Sequence, residues 1–251
     1  RRTVLRQTSH VLARSDEAIQ VVRACGYDGL AGRIGYGVDR SVFRPMDLVA
    51  GHSAPAGLKV GYVGRLIEEK GVGDLIEAVS RAATPVNLAI MGEGPFQASL
   101  VAQAAALGVS DRLRILPWGS PGDVAAFMSR LDVLALLTRT TDTVREQFGR
   151  VIIEAQACGT PVIGSGSGAI AEVVGEGGWI VPERSPAAVA ALLDWLAIRP
   201  VELEAARAQA MRQVSERFSF AAQTRALELA WRSAADCNRF SDNNRRSRTI
   251  P

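Results

Sequence analysis

This sequence predicts an α/β protein built on a doubly wound parallel sheet. From Lys59 onward, short apolar runs rich in valine, isoleucine and leucine alternate with stretches of helical period. Glycine-bearing loops follow those runs at Gly64, Gly92-Glu93-Gly94, Gly119 and Gly164 to Gly168. Aromatic residues make up only 6% of the chain while alanine, glycine and valine are plentiful, as suits helices lying close on a sheet. Strands alternating with helices imply right-handed βαβ units.

The elements follow in order. Val4 to Asp47 carries one strand-helix-strand unit. Val11-Leu12-Ala13 is the first strand, Ser15 or Asp16 caps a helix through about Cys25, and Arg33 to Val38 extends again. Residues 49–57, rich in Gly, Ala, Ser and Pro, read as a linker. Lys59 to Gly64 is a buried strand with its loop, and Val72, Leu75, Ile76 and Val79 recur at helical spacing. Val86 to Met91 is the next strand, followed by a helix through about Leu107. Leu113 to Leu116, a short helix over Asp123 to Ser129, and Val133 to Leu137 continue the alternation. A helix then ends near Cys158, because Gly159 suits its C′ position and Pro161 cannot continue it. Pro161 to Gly164 and Trp179-Ile180-Val181 are the last strands. Helices over Pro186 to Ile198, Val201 to Arg217 and Ala221 to Ala235 close the fold. Residues 237–251 are polar and arginine-rich without apolar period, and are expected to be a disordered basic tail.

Composition excludes several classes. The chain is 47% hydrophobic and 22% charged with a formal net charge of +3, too mild for a nucleic-acid partner. Cys25, Cys158 and Cys237 are widely spaced and join no Cys/His cluster, which favours a reduced cytosolic setting without structural zinc. No apolar run reaches the roughly 18 residues of a membrane span. The start, Arg1-Arg2-Thr3, has neither an initiator Met nor a signal-peptide pattern, and the expectation is a fragment of a longer protein.

The stretch from Glu146 to Glu154 carries the most chemistry. Glu146 is expected in a loop and Glu154 on the second turn of the following helix; were both helical, eight residues would separate them by roughly 12 Å. Between them lies a helix N-terminus whose free N–H groups and dipole favour a pyrophosphate. Two carboxylates beside an anion site can accept hydrogen bonds from sugar hydroxyls. On spacing alone, a solvent-facing Glu154 on an ordinary amphipathic helix accounts for the pattern equally well. Arg65 and Lys70 stand five residues apart in a turn with Gly64 and Gly71 at either side. Arg65 can grip phosphate oxygens bidentately and Lys70 offers a compact charge, whereas the plainer alternative is a surface pair balanced by Glu68 and Glu69. In a doubly wound sheet ligands bind beyond the strands' carboxyl ends, where these loops fall.

Taken together, Gly64-Arg65…Lys70-Gly71, Gly92-Glu93-Gly94-Pro95, Glu146-Gln147-Phe148-Gly149-Arg150-Val151…Glu154-Ala155…Gly159-Thr160-Pro161-Val162 and Gly175 to Pro182 resemble the nucleotide-sugar half of family-4 retaining glycosyltransferases with the GT-B fold. The resemblance covers about Lys59 to Ala235 and implies a Rossmann-like donor-binding domain over 58–236. Residues 1–48 resemble the end of the family's acceptor domain and its approach to the hinge, through Gly37-Val38-Asp39…Phe43-Arg44-Pro45. It further implies that Arg65 and Lys70 hold the donor diphosphate and stabilise the leaving nucleotide, and that Glu154 binds the ribose. Glu146 would face the transferred sugar, so that Arg65, Lys70 and Glu146 form the catalytic set. Gly64, Phe148, Gly149 and Arg150 line the donor, with the backbone amides of Phe148 and Gly149 reaching its sugar and phosphate. Trp118 and Gly119 lie beside the base, with Trp118 either stacking or packing, and Glu93 is either a ligand or a loop-shaping residue. The implied partners are a nucleotide-sugar donor and, through the acceptor domain, a glycan or lipid-linked acceptor, in the cytoplasm or at the inner membrane face. Neither cofactor nor metal is expected: the chain has no Asp-x-Asp motif, and the two cations would neutralise the diphosphate. His10 and His52 are assigned no role.

Three other readings stand beside this one. A nicotinamide or flavin oxidoreductase lacks its Gly-x-Gly-x-x-Gly, since Gly61 and Gly64 are followed by Arg65. A non-catalytic nucleotide-sugar-binding or scaffold domain is opposed by the intact Arg65, Lys70, Glu146 and Glu154. A nucleotide-sugar epimerase on the same scaffold would need catalytic carboxylates and histidine on other loops.

Overall fold

The computed structural model describes residues 4–5, 8–46 and 57–246. The expected linker lies, but for Gly57, outside the described residues, together with His52 and residues 247–251. The chain forms two compact units, Arg1–Gly37 with Arg217–Pro251, and Val38–Glu216.

In the smaller unit, β1 (His10–Ala13) pairs in parallel with β2 (Leu30–Arg33), and α1 (Asp16–Ala24) connects them. Ser15, rather than Asp16, caps α1: its hydroxyl accepts from the Ala18 N–H at 3.2 Å. The second strand falls earlier than the expected 33–38, because pairing with β1 begins at Leu30. Residues 34–37 follow as non-strand backbone, with the Arg14 guanidinium 3.9 Å from the Tyr36 ring centroid. The last helix, α9 (Phe220–Arg246), packs against β1 and β2. Two expectations are corrected here. This helix clusters with the N-terminal strands and not with the sheet-bearing unit to which residues 58–236 were assigned, and its backbone stays helical across residues 238–246, assigned above to a disordered tail. Once a helix has nucleated, each added residue gains a hydrogen bond, so a polar stretch without periodicity can extend it.

The larger unit holds a six-stranded parallel sheet in the order β5-β4-β3-β6-β7-β8. Its strands are β3 (Leu58–Val63), β4 (Val86–Met91), β5 (Leu113–Leu116), β6 (Val133–Leu136), β7 (Val162–Ser165) and β8 (Gly178–Val181). The connecting helices are α2 (Val72–Arg81), α3 (Gln97–Ala106), α4 (Pro121–Met128), α5 (Arg150–Ala157) and α6 (Ile170–Val174), with α7 (Pro186–Ala197) and α8 (Pro200–Gln213) after the sheet. The sheet and its order bear out the expected doubly wound architecture. Every residue of β6 and β7 is buried, so these strands read as unbroken apolar runs without alternation. Strand order reverses between β3 and β6, which opens a crevice at their carboxyl ends. Helix α6 was not among the expected elements: Ile170, Val173 and Val174 are its buried face, and five residues are too few to display a period. Residues 38–46, expected with the N-terminal remnant, cluster with this unit, where the Ser129 hydroxyl donates to the Arg44 carbonyl at 3.3 Å.

The end of α5 forms as its sequence demands. Gly159 (φ 76°) occupies the C′ position, its N–H donating to Gln156 O at 3.1 Å while the Thr160 N–H donates to Ala155 O at 2.9 Å, a Schellman motif. Gly71 (φ 67°) differs in kind, since a Cβ there would stand 2.1 Å from the Leu137 carbonyl oxygen. Gly159→Ala, with no atom nearer than 3.5 Å, should therefore cost only the left-handed strain, about 1 kcal/mol. Gly71→Ala should cost more, roughly 3 kcal/mol, by pushing the loop off β6. Urea unfolding of both variants checks the ranking, and equal losses would contradict it.

Candidate functional site

A cavity of about 420 Å³ opens at the carboxyl ends of β3 and β6. Tyr62, Val63 and Gly64 of the first strand and its loop, with Leu136 of β6, form its floor. Lys70 and Glu146 line it from the two loops that follow, and Gly149, Arg150, Val151 and Glu154 line it from the start of α5. Trp118 and Gly119 contribute from the β5–α4 connection, Pro121 and Val124 from α4, and Phe43 from residues 38–46.

Lys70 reaches this cavity from a single 3-10 turn, Glu68–Lys70, that ends at Gly71. Its Nζ donates to Glu146 Oε2 at 2.6 Å, with both side chains mostly buried. The Thr138 hydroxyl donates to the same oxygen at 3.1 Å, and the Glu146 carbonyl accepts from the Ala169 N–H at 3.0 Å. Glu146 is thus held in its loop by the segment after β6 on one side and the β7–α6 connection on the other. Glu154 sits on the second turn of α5 with 17% of its side chain exposed. Burial pushes its carboxyl pKa up, while Arg150, at 3.4 Å on the preceding turn, pulls it back. Tyr62 is buried, its hydroxyl donating to the Arg65 carbonyl at 2.8 Å; burial first, and the Glu146 charge second, raise its pKa.

The expected site residues separate into groups. Gly64, Lys70, Trp118, Gly119, Glu146, Gly149, Arg150 and Glu154 meet around one cavity. Arg65 does not line it: its side chain is exposed and makes no hydrogen bond or ion pair among the described residues. The Phe148 ring is buried in the core beside the cavity. Glu93 is exposed and accepts from the Trp118 N–H at 3.4 Å, which ties two loops together. Trp118 itself is 55% exposed and so is not a packing residue. Cys158 is buried and its thiol pushed up to about 11, chiefly by burial, which fits packing over reactivity.

Sequence reasoning missed Phe43, Tyr62, Thr138 and the support behind Lys70. The Arg139 guanidinium forms a fork on Asp74, Nε–Oδ2 2.9 Å and Nη2–Oδ1 2.6 Å, and Asp74 is only 7% exposed. Thr140 gives Glu183 two bonds, from its N–H at 2.6 Å and its hydroxyl at 2.7 Å. Polar residues directly after an apolar strand, Thr138-Arg139-Thr140, were the available signal. Among the described residues, no group of three or more His, Cys, Asp or Glu is placed to hold a metal ion, and no helix is long and apolar enough to cross a membrane.

Residues 53–214 match the family described as glycosyl transferases group 1. The D-inositol 3-phosphate glycosyltransferase of Segniliparus rotundus is 35% identical over 174 residues, covering 62% of this chain and 38% of that protein. The 2-deoxystreptamine glucosyltransferase of Streptomyces kanamyceticus is 32% identical over 120 residues, covering 47% of this chain and 30% of the other. The chain thus spans less than two-fifths of the length of these curated relatives. Among solved structures, sucrose-phosphate synthase from Thermosynechococcus elongatus superposes with a TM-score of 0.77 at 23% identity, over 92% of this chain and 59% of that one. Anabaena HepE, in complex with UDP and glucose, superposes with a TM-score of 0.74 at 22% identity, over 93% and 68% of the two chains. At these identities the structural likeness speaks for the fold.

Proposed function

The chain belongs to the glycosyl transferases group 1 family, and on that premise we propose that it is the donor-binding part of a family-4 retaining glycosyltransferase. It binds a nucleoside-diphosphate sugar, from which a hexosyl group passes to a glycan or lipid-linked acceptor held by an acceptor domain. The observation that carries this reading is one cavity, at the switch point of a doubly wound sheet, lined by Lys70, Arg150, the carboxylates of Glu146 and Glu154 and the start of α5. Lys70 and the N-terminal end of α5 at Gly149 and Arg150 suit a diphosphate. Glu154 suits ribose hydroxyls and Glu146 the hydroxyls of the sugar, in keeping with carboxylates that only accept. Anabaena HepE, named above in complex with UDP and glucose, supports a nucleotide-sugar donor for this fold.

In this reading the acceptor attacks the anomeric carbon on the face the nucleotide leaves, and the departing phosphate helps take the acceptor's proton. Lys70 stabilises the charge that develops on that phosphate, and Arg65, exposed on the same loop, is its second cation. No metal takes part, and neither glutamate acts as nucleophile. The protein works in the cytoplasm, at the inner membrane face when the acceptor is lipid-linked.

Calorimetry with UDP, GDP and their hexose conjugates tests the reading. One nucleotide series should bind, with affinity unchanged by EDTA, and Arg65→Ala should weaken it. Failure of every nucleotide to bind defeats the donor role; loss of binding with EDTA defeats metal independence.

A further inference from the structure

Resting on the donor reading above, we propose that Arg139 is the positioning residue for Lys70: it fastens the chain on both sides of that lysine and thereby aims the ammonium at the donor diphosphate. Four contacts carry this. Ahead of Lys70, the Arg139 backbone N–H donates to the Glu69 carbonyl at 2.7 Å, and its guanidinium lies 3.4 Å from Glu68 Oε1. Behind Lys70, the same guanidinium forks onto both oxygens of Asp74, in the first turn of α2. Gly71, between these anchors, lies directly against the Leu137 carbonyl, so the backbone there has no room to drift toward β6.

The chemistry of the pair explains why an arginine stands here. Lys70 is a flexible four-carbon stem whose charge acts as a point, so its aim must come from the backbone that bears it. A planar guanidinium gives two parallel bonds to one carboxylate and fixes direction as well as distance. Asp74 is nearly buried, so the fork is shielded from competing water. Arg139 itself stands three residues past the end of β6 and is the next residue after Thr138, whose hydroxyl holds Glu146. One short segment therefore sets both partners of the Lys70–Glu146 pair, the glutamate through Thr138 and the lysine through Arg139.

Arg139→Lys keeps the charge and removes the fork; Asp74→Asn keeps the shape and weakens the pair from the other side. Each variant of the chain is titrated with UDP, UMP and uridine, or the guanosine series if that is what the parent binds, after its melting curve shows a cooperative fold. Positioning of Lys70 predicts about a tenfold loss for the diphosphate, a smaller loss for the monophosphate and none for the nucleoside. It also predicts that Arg139→Lys adds nothing further in a Lys70→Ala background, because the two act through one group. A general structural role would weaken all three ligands alike and add to Lys70→Ala, and either result overturns the proposal. If the parent binds no nucleotide, the donor reading fails and this inference falls with it. Parental binding that Lys70→Ala weakens and Arg139→Lys leaves intact overturns the positioning role alone.

Discussion

Glu154→Gln should cost about a hundredfold in nucleotide affinity while leaving the fold no less stable at neutral pH. The carboxylate is 17% exposed, and its ion pair with Arg150 is long at 3.4 Å. In the donor reading it accepts from two ribose hydroxyls, and hydrogen bonds to a charged acceptor contribute about 1.5–3 kcal/mol each. A carboxamide has one acceptor oxygen and no charge, so a loss near 3 kcal/mol, about a hundredfold, is expected. Stability moves the other way. Burial, the larger influence, raises the folded-state pKa of Glu154 above its ordinary value of 4.5. Between the ordinary and the raised value the folded state binds more protons than the unfolded one, so the contribution of Glu154 falls as pH rises through that window. Glu154→Gln has no such dependence. Its melting temperature should therefore gain on the parent's as pH climbs from 4.5 upward. Unchanged nucleotide affinity would remove Glu154 from the site, and a stability gap that shrinks with rising pH would contradict the burial argument.

The cavity at the ends of β3 and β6 was legible in part because its residues occupy short, rule-bound positions. Gly64, Gly149 and Gly159 mark the ends of β3 and the two ends of α5, and the apolar run Val151 to Ala157 could be placed between them from helix-stop chemistry alone. Glu146 and Glu154 followed from that placement. Arg65 shows the limit. Proximity in sequence to Lys70 suggested one grip, yet the Tyr62 hydroxyl engages the Arg65 carbonyl and the guanidinium stands exposed, so only Lys70 of the two lines the cavity and the share of Arg65 is what Arg65→Ala reads. Which way a loop side chain points depends on contacts between loops, and those have no period to read. The same reason hid Arg139 and Asp74, 65 positions apart, and the bonds from Thr140 to Glu183. In the smaller unit, α9 was assigned to the wrong unit because an amphipathic stripe specifies that a face is covered and not which sheet covers it.

Lys70→Ala should separate stability from function most clearly. Its ammonium lies 2.6 Å from Glu146, with 22% and 15% of the two side chains exposed. Breaking a fully buried pair costs about 3–5 kcal/mol because one charge is left uncompensated; the residual water access here reduces that to roughly 2 kcal/mol. A chain of this size should lose about 4–8 °C in Tm. Diphosphate affinity should fall on the order of 10- to 100-fold, since a charge-assisted contact is removed. Adding Glu146→Gln removes the stranded carboxylate, so Lys70→Ala/Glu146→Gln should recover most of the lost Tm. It should recover none of the diphosphate affinity, because no cation has returned to the cavity. The parent, both single variants and the double variant form one cycle, read by thermal melts and by calorimetry on the same samples. If Tm fails to recover in the double variant, the pair is not an isolated charge couple. Should affinity recover along with Tm, Lys70 serves the fold and the cation of the donor site must be sought elsewhere on the loop.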